Sequence, residues 1–145
     1  MTRGRARRGL RERGAAAVEL ALVLPMLLLL IAGIIDFGRA FMTQIAISQG
    51  AREGARMLAL GLPLSDAKVR VAQGANGALA ASGASTFVYP AVTVCPSTPT
   101  PTDAASITVG VQFRYLILDG ISNLFGGAIP STATFTQTGS MRCLG

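Results

Sequence analysis

The feature that most constrains this chain is the run AAAVELALVLPMLLLLIAGII at residues 15–35, 21 residues with a single charge, Glu19. A helix needs about 20 consecutive apolar residues to cross a bilayer, so this segment predicts one membrane span. The mean hydropathy of +0.50 and the 14% charged content agree with it. Residues 1–14 hold six arginines and one acid, a net of +5, whereas residues 15–145 hold seven bases and six acids, a net of +1. The basicity therefore belongs to a leader ahead of the span. The positive-inside rule then places the N-terminus in the cytoplasm and residues 36–145 outside it. The rest of the chain has no basic excess, so no nucleic-acid partner is inferred. A cleaved secretory signal would share the basic start, but its apolar core usually runs about 7–15 residues and closes on a small-residue cleavage site. This run is longer and shows no clear A-x-A site.

Two irregularities interrupt the span. Glu19 is an ionisable residue in an apolar helix, which marks it as a functional candidate; the plain alternative is a carboxylate that reaches the interface or pairs with the leader arginines. Pro25 removes one helical hydrogen bond and predicts a kink or local unwinding. The chain has no histidine and only two cysteines, without zinc spacing, and its acids beyond residue 35 are scattered singly. No phosphate-binding loop, nucleophile elbow or dinucleotide motif appears. We therefore expect no enzyme activity, catalytic residues, metal or cofactor.

Gly14 is followed by Ala15-Ala16-Ala17-Val18-Glu19 and then the long apolar helix. This resembles a type IV prepilin N-terminus. More narrowly, RGAAAVELALVLP with IDFGRAF and GAREGARMLALG resembles the TadE-like minor pilins, or pseudopilins, of tight-adherence (Flp-type) pilus systems over residues 13–61. The ending ATFTQTGSMRC is also similar, with less specificity. The resemblance implies cleavage between Gly14 and Ala15 by a prepilin peptidase, with Glu19 becoming the fifth residue of the mature chain. It also implies a meeting of Glu19 with the N-terminal amine of a neighbouring subunit. Where such pilins carry tyrosine or phenylalanine after the glutamate, this chain has Leu20. The implied partners are membrane lipid, other pilin-like subunits, the prepilin peptidase and the pilus assembly platform.

Beyond the span the helical period continues to a stop signal at Gly61 and Pro63, so one helix is predicted over about residues 15–60. Phe37, Phe41, Ile45, Ala51, Ala55 and Leu58 are read as its packed stripe, with a slip near Ser48. Asp36, Arg39, Arg52, Glu53 and Arg56 are read as mostly solvated. Gly50 and Gly54 form a GxxxG that permits close helix approach, either to a partner pilin or, as we favour outside a bilayer, to the protein's own sheet. Ser65 is expected to cap a second helix running to about Leu79, weakened by Gly74 and Gly77. Residues 82–86 read as a turn. Residues 86–95 read as a strand that Pro90 confines to an edge or a bulge. Residues 96–103 are a proline-rich loop. Strict alternation over residues 106–115 gives the clearest strand. Residues 116–131 predict a short helix and loop or a partner surface, and residues 132–143 a last strand.

The expected organisation is a basic cytoplasmic leader (1–14), a transmembrane segment (15–35), an extracytoplasmic continuation of the helix (36–61) and a small α+β head (62–145). The fold class is α+β and pilin-like, a long N-terminal helix packed on a small antiparallel sheet. Cys95 and Cys143 both fall outside the cytoplasm and predict a disulfide closing a long loop. Two functions fit: a cleaved minor pilin, or an uncleaved single-pass anchor whose head binds a partner. Gly14 and Glu19 at the correct offset favour the first.

Overall fold

The computed structural model describes residues 4–124, Gly126 and residues 132–143, with side chains for all of these except residues 4–13, 118, 121, 122 and 124. The fold is α+β, in the order α1 (Gly4–Ala59), α2 (Leu64–Gly74), α3 (Ala78–Ser82), β1 (Val88–Thr93), β2 (Ala104–Arg114), α4 (Leu116–Leu124) and β3 (Thr132–Arg142). The chain divides into two compact units, one up to Ile35 and one from Asp36 onward.

In the first unit α1 runs through Pro25 without a break, so the predicted local unwinding does not occur. From Gly14 to Ile35 its side chains are exposed or half-exposed, although most are large and apolar. This helix is long and apolar enough to cross a membrane. It begins at Gly4, so the helix extends back into the leader; residues 1–3 lie outside the described residues.

The second unit is a three-stranded antiparallel sheet, ordered β1-β2-β3, with helices on one face. β2 lies at the centre because its alternation is the most complete: Ala105, Ile107, Val109, Val111 and Phe113 are all buried. β3 pairs with β2 along its whole length, from Ala104↔Arg142 to Arg114↔Thr132. β1 carries Pro90, and its register slips between Val88 and Ala91. The proline thus stands both on an edge strand and at a bulge, where its missing N–H costs the ladder least. The core joins Ile47, Ala51, Ala55 and Leu58 of α1 to Ala67 and Val71 of α2 and to the inner face of β2.

The helix ends follow from local chemistry. Gly61 takes φ +76°, its N–H reaches Leu58 O and the Leu62 N–H reaches Met57 O. This is a Schellman ending, which satisfies carbonyls that α1 would otherwise leave open. α2 begins two residues earlier than predicted. Pro63 is its cap and no side chain caps it; Ser65 donates instead to the Asp66 carboxylate. The predicted helix to Leu79 is two helices, because Ala75–Gly77 turn out of the helical path and Gly77 takes φ +91°. Residues 116–124 are helix α4, while Phe125 and residues 127–131 of that predicted segment lie outside the described residues.

Candidate functional site

Gly14, Ala15 and Glu19 all lie on α1 in the first unit. Glu19 is exposed and makes no ion pair among the described residues. Ala15 and Glu19 are four residues apart, one helical turn, and so share a face. The Gly14–Ala15 peptide bond is inside continuous helix, with open space around the glycine. Glycine weakens a helix more than any residue but proline, so the helix is easier to open at this bond than at an alanine.

On the outer half of α1 the packed stripe is not the one predicted. Phe37, Phe41 and Ile45 are exposed, at 63%, 63% and 58%. The buried positions are Asp36, Ala40, Thr43, Ile47, Gly50, Ala51, Gly54, Ala55, Leu58 and Ala59, a stripe that recurs every three to four residues. The slip near Ser48 was the trace of this: the large residues before it lie off the face continued by Ala51 and Ala55. Size decides the outcome, because small side chains let α1 lie directly on its neighbours.

Gly50 and Gly54 serve that close approach within the chain, chiefly against α2 rather than the sheet. A Cβ on Gly50 would stand 2.7 Å from Val71 O and 2.8 Å from Ala75 Cβ. One on Gly54 would overlap Val71 Cγ2 and stand 3.1 Å from Ile107 Cγ2 on β2. Gly139 on β3 is equally confined, since a Cβ there would run into the backbone of Ala51.

Asp36 was read as solvated, yet it is 3% exposed and organises a corner of the head. Its carboxylate accepts hydrogen bonds from the N–H of Leu116 at 3.2 Å and of Ile117 at 3.0 Å. These are the first two amides of α4, which no intrahelical carbonyl can satisfy. A carboxylate at a helix N-terminus also meets the positive end of its dipole. The Arg39 guanidinium pairs with the same carboxylate at 3.2 Å and donates to Ala81 O at 2.6 Å. It also sits 5.2 Å from the Phe113 ring centre. Arg39 thus joins α1, α3 and β2, whereas Arg52 and Arg56 are exposed as expected. Just below, Thr43 donates to Arg39 O at 2.9 Å, which satisfies its buried hydroxyl. The available signal was position: continuing the 3.6 period backward from Ile47 through Thr43 and Ala40 lands on Asp36.

Cys95 and Cys143 form a disulfide with Cα atoms 5.8 Å apart. Cys95 follows β1 and Cys143 follows β3, so the bond joins the two edge strands beyond the start of β2. Strands separated by a third lie about 9–10 Å apart, so β1 and β3 converge here past the end of the centre strand. The Cys143 N–H donates to Asp103 O at 3.0 Å, holding that convergence beside the proline-rich loop. In the loop, the Thr100 N–H and hydroxyl both donate to the Asp103 carboxylate, at 2.7 and 2.9 Å. These bonds hold its pKa below the ordinary value.

Residues 14–56 match the family model described as TadE-like protein. No curated protein and no solved structure matches the chain. The matched segment opens on Gly14, contains Glu19 and closes past Gly54, so it covers the apolar span and most of the small-residue face. Over that segment the chain is similar to TadE-like proteins.

Proposed function

We propose that this chain is a minor pilin, or pseudopilin, of a tight-adherence (Flp-type) pilus, working by assembly rather than catalysis. The observation that carries the proposal is that the TadE-like match begins at Gly14 itself and includes Glu19. In this reading residues 15–35 cross the cytoplasmic membrane once, with the leader inside and the head outside.

A prepilin peptidase hydrolyses the Gly14–Ala15 bond, leaving a carboxylate on the leader and a new amine on Ala15. The lost leader carries a net charge of +5 (six arginines less one glutamate). Such a cluster anchors a span against outward movement, so its removal lowers the barrier to lifting the helix from the bilayer. The new amine and the Glu19 carboxylate are each costly in an apolar setting unless paired. Pairing Glu19 with the amine of a neighbouring subunit neutralises both and fixes the register between two helices. Other pilin-like subunits, the peptidase and the assembly platform are the partners this requires.

The test is the N-terminus of the membrane-extracted protein, by intact mass, with and without the prepilin peptidase. A peptidase-dependent start at Ala15 is expected. A chain that keeps residue 1 or 2 would make it an uncleaved anchor with a partner-binding head. A start beyond residue 33 would mark a signal peptide. Glu19→Ala should leave membrane insertion intact and reduce incorporation into pili; wild-type piliation would remove Glu19 from the mechanism.

A further inference from the structure

We infer that the corner built on Asp36 is a second membrane contact, in which Phe37 and the first turn of α4 rest in the outer interfacial layer of the bilayer. The inference relies on residues 15–35 crossing that bilayer. Asp36 is the first residue after the apolar run, so chain connectivity alone brings it to the membrane boundary. Its carboxylate holds the amides of Leu116 and Ile117, so the start of α4 is held at the same boundary by bonds of 3.2 and 3.0 Å.

What is held there is apolar. Five of the nine residues of α4, LILDGISNL, are leucine or isoleucine. Leu116 is 62% exposed at the head of that helix. Among the described residues the exposed aromatic rings are those of Phe37 and Phe41. At 1.5 Å per residue they lie about 1.5 and 7.5 Å beyond Asp36 along α1. The interfacial layer of one leaflet is about 5–8 Å thick. Both rings therefore fall within reach of it.

The charges at the corner suit this position. Asp36 faces α4 amides and Arg39, not the surface, and Asp119 is paired with Arg114 at 2.6 Å. Among the described residues no cluster of basic side chains marks this corner, so the contact is apolar and zwitterionic lipid suffices. Along α1 the exposed apolar residues run on from Phe41 to Met42 and Ile45, and other exposed large hydrophobics of the head include Leu60, Leu62, Val69 and Met141.

The chain contains no tryptophan, so one introduced indole is an unambiguous reporter. The full chain is reconstituted in phosphatidylcholine vesicles whose acyl chains carry bromine near the ester, as Leu116→Trp, Phe37→Trp, Leu20→Trp or Val69→Trp. Val69 serves as the outer reference, because α2 packs beside Gly50, some 21 Å along α1 from Asp36 by helix rise. Leu116→Trp and Phe37→Trp should be blue-shifted and quenched relative to Val69→Trp, with an intact disulfide showing that the head has folded. If both match Val69→Trp while Leu20→Trp is quenched, the surface contact is wrong and the span stands. If Leu20→Trp also escapes quenching, the membrane reading of residues 15–35 falls, and this contact falls with it.

Discussion

Between Ala15 and Ile35, α1 carries mostly Leu, Ile, Val and Ala, and none of these side chains is buried. Between Asp36 and Ala59 the buried positions include a carboxylate, a threonine, two glycines and several alanines. One helix thus exposes most of its large apolar side chains and, Ile47 and Leu58 apart, buries small and polar ones. Hydrophobicity alone would have assigned the two stretches the other way round. The first stretch is shaped for a solvent other than water. The second is shaped for the chain's own α2 and β2, where close backbone approach and satisfied hydrogen bonds count for more than side-chain size.

The largest effect that would break this comparison comes from a matched pair of glycines. Gly50→Val should destabilise the head by about 3 kcal/mol, since the added Cβ meets the α2 backbone and the core cannot yield. Gly33→Val, with nothing within 4 Å of its Cβ position, should change stability by less than about 0.5 kcal/mol. Hydrogen exchange of the β2 amides in the detergent-solubilised chain reads both. Equal protection in the two variants would show that the outer half of α1 is not tightly packed.

Replacing Cys95 and Cys143 together by serine should cost about 2–3 kcal/mol, below the ideal for a long closed loop. The same exchange measurement should show the loss in β1 and β3 and leave residues 15–35 unchanged. A uniform loss along α1 would contradict the division at Ile35.

Asp36→Ala should cost roughly 2 kcal/mol, combining a lost helix cap with a half-buried arginine left without its partner. Faster exchange at the Leu116 and Ile117 amides is the specific sign. If those amides keep their protection, the carboxylate is not what holds α4.

The smallest effect concerns Asp103, on the side of the head carrying the proline-rich loop. Its folded pKa is depressed by the two Thr100 hydrogen bonds. Its contribution is therefore complete above the ordinary carboxylate range and disappears as pH falls through the lowered folded value. A carboxyl titration by NMR should place Asp103 below a model carboxylate, and Thr100→Val should return it part of the way. An unshifted Asp103 in the parent protein would mean that the loop is open in solution.

The parts of the fold legible in the sequence were those governed by a single period or a single residue type. The apolar run, the alternation of β2, the Gly61-Pro63 stop and the proline of β1 each followed from local rules. The outer half of α1 did not, because its buried face is chosen by fit against α2 and Gly139, which are distant in sequence. Asp36 was missed for the same reason: a charge reads as solvated until its partners, 80 and 81 residues away, are known. Gly14 and Glu19 were legible from the opposite direction. Among the described residues nothing packs against them, and their spacing is the whole of their signal.

The order of the strands sets a timetable for biogenesis. β2 is at the centre but is completed on one side only by β3, which leaves the ribosome after it, and Gly139 on β3 is what closes over Ala51. The disulfide cannot form until Cys143 has been made and brought beside Cys95. The segment of α1 from Asp36 to Ala59 must therefore wait for most of the remaining chain. While it waits, the face it reserves for the core is largely glycine, alanine and threonine, a surface with little tendency to adhere to the wrong neighbour.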